Sequence, residues 1–171
     1  MADSGRRALA TEETFLAAYT GRRSRRHHDR ELLTFALGDE TYALDMTELR
    51  EISRMREVTE LPRVPAFLLG VITLRGLVIP VLDLRRRMGL PPVAPSRETR
   101  ILIVDQDGEP FGLLVDRVVR VERVDNPQIE SAPLPGGVAS DFVAGVARVE
   151  GELIVLLELS QVVRFRLGAG R

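Results

Sequence analysis

The chain is one unit written twice. Gly70-Val71-Ile72-Thr73-Leu74-Arg75-Gly76-Leu77-Val78-Ile79-Pro80-Val81-Leu82-Asp83-Leu84 returns without a gap as Gly145-Val146-Ala147-Arg148-Val149-Glu150-Gly151-Glu152-Leu153-Ile154-Val155-Leu156-Leu157-Glu158-Leu159. Both glycines recur, the isoleucine after the turn recurs, and Leu-Asp-Leu becomes Leu-Glu-Leu. Upstream, Glu40-Thr41-Tyr42-Ala43-Leu44 is echoed by Glu109-Pro110-Phe111-Gly112-Leu113. The offsets are 75 positions (Gly70 to Gly145) and 69 positions (Glu40 to Glu109), so the unit is roughly seventy residues. The most linker-like stretch, Pro91–Ser96, falls between the copies, as a duplication requires.

The repeated unit consists of strands and turns. Leu32–Leu37 and Thr41–Leu44 flank Gly38-Asp39-Glu40 as a hairpin, and Gly70–Leu84 is a second hairpin turning at Arg75-Gly76. Arg100–Val104 and Pro110–Val121 pair across Asp107-Gly108, while Val143–Val149 and Glu152–Leu157 repeat the second hairpin. One helical turn is expected at Thr47–Glu51 with Thr47 as its cap, and an extended run at Ile52–Leu61. Pro65–Leu69 forms a turn, Asp83 caps Leu84–Met88, and Ser160–Phe165 closes the chain as a helix. The apolar runs Val78–Leu82 and Leu153–Leu157 predict strands covered on both faces. These patterns imply an all-β chain of paired small barrels.

Composition removes most chemistry. With no cysteine there are no disulfides or thiolate metal sites, and both histidines, His27 and His28, lie in an arginine-rich segment. A body without histidine assembles no Ser-His-Asp set and no facial metal triad. No glycine pattern forms a phosphate loop, and all 24 basic residues are arginine. The expectation is a binding module, not an enzyme, with no catalytic residue, cofactor or metal. Residues 1–30 carry a balance of +3 and read as a flexible tail, whereas the remainder carries −4, a poor match for nucleic acid. No apolar run reaches membrane-spanning length and no secretory leader is present, so the expected address is the cytoplasm.

Leu33-Thr34-Phe35-Ala36-Leu37-Gly38-Asp39-Glu40-Thr41-Tyr42-Ala43-Leu44-Asp45, Arg50-Glu51-Ile52, Pro65-Ala66-Phe67, Gly70–Gly76 and Pro80-Val81-Leu82-Asp83-Leu84 resemble the CheW family of chemotaxis adaptors. The resemblance runs on through Phe111–Asp116 to Leu157, giving a domain over 31–165 and a C-terminal tail over 166–171. It implies two intertwined five-stranded SH3-like barrels and a scaffold coupling chemoreceptors to a CheA-type histidine kinase, with an adaptor of another motility pathway as the alternative. The implied partners are the kinase's regulatory domain and the receptors' cytoplasmic tip helices, with no direct membrane insertion. Arg75, with Gly76 beside it, matches the family's turn arginine, and Leu49, Glu51, Ile52, Gly70, Val78, Val118 and Val121 match its receptor groove. Thr73, Arg117, Glu130 and Pro135 depart from the family's usual residues. Val118 and Val121 lie three apart, so they share a face only if the strand bulges, bends or ends between them.

Overall fold

The structure, a computed structural model, describes residues 29–125, 128–130 and 141–165. The first copy contains β1 (Asp29–Leu37), β2 (Glu40–Asp45), β3 (Leu49–Arg54), β4 (Leu68–Leu74), β5 (Leu77–Asp83) and α1 (Leu84–Arg87). The second contains β6 (Arg100–Gln106), β7 (Glu109–Val115), β8 (Arg117–Asp125), β9 (Ile129–Glu130), β10 (Val143–Val149), β11 (Glu152–Leu157) and α2 (Leu159–Val162). The Arg-rich segment and the expected C-terminal tail lie outside the described residues. β1 begins two residues before the boundary expected after residue 30.

Two sheets form, and each draws strands from both copies. The six-stranded sheet runs β8-β1-β2-β11-β10-β9 and the five-stranded sheet β3-β6-β7-β5-β4. Four ladders join the copies: the parallel pairs β5 on β7 and β11 on β2, and the antiparallel pairs β1 on β8 and β3 on β6. The parallel registers obey the repeat: Val81 faces Gly112 in one ladder, and Leu156 faces Ala43 in the other. The sixth strand is the two-residue β9, whose counterpart in the first copy is an isolated bridge from Thr59 to Val71.

Three apolar clusters follow from strand alternation. On β1, Leu33, Phe35 and Leu37 face a central cluster shared by both sheets, while Leu32 faces a smaller cluster inside the six-stranded sheet. On β6, Leu102 and Val104 face the central cluster, while Ile101 and Ile103 face the interior of the five-stranded sheet. These strands are therefore covered on both faces, and each fully buried Leu, Ile or Phe contributes about 1.5–3 kcal/mol. The same expectation fails for the start of β5. There Val78 is 64% exposed, because the parallel ladder with β7 begins only at Val81.

Turns set the hairpins. Arg75-Gly76, Asp107-Gly108 and Glu150-Gly151 each place two consecutive residues at positive φ, the geometry that matches strand twist across a two-residue loop. Asp83 caps α1 by accepting from the Arg86 amide, as its sequence position predicts. Elsewhere local expectation is corrected. Asp45, not Thr47, caps a short 3-10 turn at Met46–Glu48, and Leu49 onward is strand, not helix. That strand stops at Arg54 instead of extending to Leu61. Pro110–Val121 is two strands broken at Asp116, and the closing helix spans Leu159–Val162 instead of Ser160–Phe165.

The helices lock the halves together. The Asp83 amide donates to the Phe67 carbonyl at 2.7 Å, and the Glu158 amide donates to Phe142 at the same distance. Arg87 breaks this symmetry. Its Nε donates to the Val162 carbonyl at 2.8 Å and its Nη2 to Arg164 at 2.6 Å, so one α1 side chain occupies the carbonyl end of α2. Its guanidinium lies 4.2 Å from the ring centre of Phe67 and 4.7 Å from that of Phe142, a cation–π contact to each half of the repeat.

Candidate partner-binding surface

β8 carries a bulge. Arg120 pairs with Thr34 and Val118 with Phe35, which leaves Val119 as the extra residue. The shift puts Val118 and Val121 on one side, where both lie half-buried against the central cluster. The Thr34 hydroxyl holds the bulge, donating to the Arg120 carbonyl at 2.8 Å and accepting from its amide at 3.2 Å. β3 repeats the device: Leu49 pairs with Val104 and Glu51 with Ile103, leaving Arg50 extra. Leu49 and Ile52 thus occupy the positions that Val118 and Val121 occupy 69 residues later. Ile52 is buried in the cluster itself, and Leu49 is half-buried against it.

Charged groups border these strips. Asp116 receives Arg85 through Nε at 2.8 Å and Nη2 at 2.6 Å, and accepts the Gly38 amide at 2.7 Å. Arg85 therefore holds the Asp116 carboxyl below its ordinary range and fixes the corner from which Val118 projects. Beside Leu49, burial and then the Asp45 charge push Glu48 up to about 7. Its repeat counterpart, beside Val118, is the exposed Arg117. Glu48 escaped the sequence reading because nothing in its neighbours announces burial.

The remaining expected residues gather elsewhere. Arg75 stands at the β4–β5 turn with its side chain 76% exposed, and its Nη1 lies 3.6 Å from Glu51 Oε2. Leu77 and Val78 follow it, both exposed, and Gly76 completes the turn with open space around it. Gly70 stands apart. A Cβ there would sit 2.0 Å from the Thr59 carbonyl oxygen, at φ 147, so this glycine is a backbone requirement of the Thr59–Val71 bridge. The expected set therefore divides into two apolar strips against the central cluster (Leu49 with Ile52 on β3, Val118 with Val121 on β8), a charged turn (Glu51, Arg75, Gly76, Val78) and a structural glycine.

The second copy has a charged turn too, with signs reversed. Arg75 corresponds to Glu150, and Glu51 to Arg120. Arg120 bonds Glu122 and reaches Glu152 at 3.4 Å. Its guanidinium holds its proton more tightly, chiefly through the Glu122 hydrogen bond, with Glu152 and Glu150 adding their charge. Among the described residues no cluster of acids or histidines could hold a metal, and no helix is long and apolar enough to cross a membrane.

Comparison with known proteins places this architecture. The CheW-like domain family matches residues 31–166. The chemotaxis protein CheW of Rhizobium meliloti is 36% identical over 137 residues, covering 78% of this chain and 86% of that protein. Protein FrzA of Myxococcus xanthus is 30% identical over 138 residues, covering 80% and 86%. The crystal structure of the scaffolding protein TtCheW from Thermoanaerobacter tengcongensis superimposes with a TM-score of 0.76 at 33% identity, covering 80% of this chain and 94% of that one. The chain belongs to the CheW-like domain family.

Proposed function

We propose that this chain is a non-enzymatic scaffold in chemotaxis signalling, coupling chemoreceptors to a CheA-type histidine kinase. The observation that carries the reading is the matched pair of bulges. They set Leu49, Val118 and Val121 half-buried against the central cluster, with Ile52 buried in it. Apolar strips of this kind, one beside Glu48 and the other beside Arg117, suit the apolar face of an amphipathic helix, which is what a receptor tip offers. The Arg75 turn, with exposed Leu77 and Val78 beside it, suits the kinase's regulatory domain: an apolar patch fixed in orientation by one guanidinium.

Val118→Glu and Val121→Glu test the division of labour. Each places a carboxylate against an apolar helix and is expected to weaken binding of a receptor-tip fragment by at least roughly tenfold, while binding to the kinase regulatory domain changes little. Equal loss toward both partners, with a collapsed melting temperature, would assign these valines to the core alone.

A further inference from the structure

The two apolar strips descend from one repeat, yet they are fixed in different ways. The β8 strip starts at a corner held by Arg85 of α1, whose side chain is 14% exposed. The guanidinium reaches Asp116 through Nε at 2.8 Å and Nη2 at 2.6 Å, and its Nη1 donates to the Pro91 carbonyl at 3.0 Å. Asp116 in turn accepts the Gly38 amide, and its own amide donates to the Ala36 carbonyl at 3.2 Å. Two residues on comes Val118, and the Thr34 hydroxyl holds the bulge that follows. The β3 strip lacks this frame. The counterparts of Arg85, Asp116 and Thr34 are Ser160, Thr47 and Ile103. Ser160 donates to Glu158 and Thr47 to Asp45, each within its own turn, so the fork across the copies exists once.

We infer that Arg85 is a positioning residue for partner binding, holding Val118 and Val121 in the arrangement that receives the receptor helix. The inference deepens the receptor reading and rests on it. A planar guanidinium can serve acceptors on two segments at once, here the β7–β8 corner and the linker, which an ammonium cannot do with the same geometry. A strip fixed before contact loses less freedom on docking, so its affinity depends on what holds it. The linker bond is the other task of the same fork. Cavities of about 250 and 240 Å³ flank the linker, and Val93 lines both. The linker therefore has room to shift without repacking the core, and its slack can be changed apart from Asp116.

Titration of the full-length chain against two probes, a helical-hairpin fragment of a receptor tip and the kinase regulatory domain, tests it. Arg85→Gln should weaken binding of the hairpin about tenfold and change binding of the kinase domain less than about twofold. Arg85→Lys keeps a charge beside Asp116 but loses the fork, so it should fold like the wild type and lose roughly threefold toward the hairpin. Two glycines inserted after Pro92 slacken the linker and leave Asp116 bonded, and this variant should bind both probes as the wild type does. An insertion that weakens the hairpin as much as Arg85→Gln overturns the inference, because the linker then carries the effect. Equal loss toward both probes in both Arg85 variants also overturns it, making Arg85 a folding residue. Val118→Glu separates the inference from the reading beneath it. If Val118→Glu loses the hairpin and Arg85→Gln does not, the strip stands and the positioning role falls. If Val118→Glu binds the hairpin normally, the receptor reading of β8 falls and takes the inference with it.

Discussion

The interiors of the two sheets share a layout and differ in bulk. At equivalent positions the five-stranded sheet encloses Ile72, Leu74 and Ile103 where the six-stranded sheet has Ala147, Val149 and Thr34. Gly112 offsets the larger set: a Cβ there would come within 2.9 Å of Ile101 and 3.1 Å of Val81, and its counterpart is Ala43. The shared central cluster behaves differently. Leu33 and Leu102, Leu44 and Leu113, Leu82 and Leu157, and Leu84 and Leu159 are identical pairs. A residue facing only its own sheet can change once one or two neighbours compensate. A residue in the shared cluster packs against both copies at once, so its volume is fixed from two sides.

The comparison is most sharply tested at the glycine present in both copies. Gly70→Ala should cost at least about 3 kcal/mol in urea unfolding, since the new methyl meets the Thr59 carbonyl at 2.0 Å in a backbone region that alanine avoids. Gly145→Ala, with 2.9 Å to the Glu130 carbonyl and no positive φ, should cost less than half as much. Equal losses would mean that the two bridges are equally tight.

The private interiors come next. Ile72→Ala should destabilise by about 2–4 kcal/mol, although alanine is what the other copy carries at that position. The reverse exchange, Ala147→Ile, should cost about 1–3 kcal/mol through overpacking. If Ala147→Ile were neutral, the six-stranded interior would have spare volume, and the difference in bulk would reflect loose packing.

Glu48 and Arg117 sharpen the comparison through pH. A carboxyl whose folded pKa, about 7, lies above its ordinary 4.5 binds protons more tightly in the folded state. Its contribution is fully present below about 4.5 and is lost as pH rises through 7. Because the group is only half-buried, screening reduces this to about 1 kcal/mol. Glu48→Gln should therefore flatten the stability profile between pH 5 and 8, as measured by denaturant midpoints, and an unchanged slope would place the titration elsewhere.

The smallest stability effect belongs to the charged turns. Arg75→Ala and Glu150→Ala should each stay within about 0.5 kcal/mol of wild type, because exposed turn residues bury little and their ion pairs are weak. Arg75→Ala should nonetheless reduce co-sedimentation of kinase with receptor. A large loss of melting temperature with intact complex formation would make Arg75 a folding residue.

Hairpins were legible in the sequence because turn chemistry is local: Val143–Val149 and Glu152–Leu157 match β10 and β11 residue for residue. Thr47–Glu51 was misread for a physical reason. Thr47 offers the hydroxyl of a helix cap, but Asp45 takes that place, and only the ladder to β6 shows Leu49 onward to be strand. At Val118 and Val121 a bulge is legible because the resemblance sets both in one groove, which a spacing of three on a regular strand forbids. The exchange of strands between sheets was invisible to pattern alone, since β7 offers the same alternation to either neighbour. Of the surface, the turn arginine and its inverted counterpart at Glu150 are readable from the ungapped repeat, whereas the approach of Glu51 to Arg75 needs the fold.

The two parallel ladders have a consequence for how such a chain is made. β5 is completed by β7, and β2 by β11, so neither copy closes a sheet with its own strands. During synthesis the first half must wait, with edges of β1, β2, β3 and β5 open, until the second half has left the ribosome. A gene encoding one copy alone would leave those edges to be filled by a second molecule, as a strand-exchanged homodimer. Joining the halves through Pro91–Ser96 turns that encounter between molecules into closure within one chain, at an effective concentration set by a short linker.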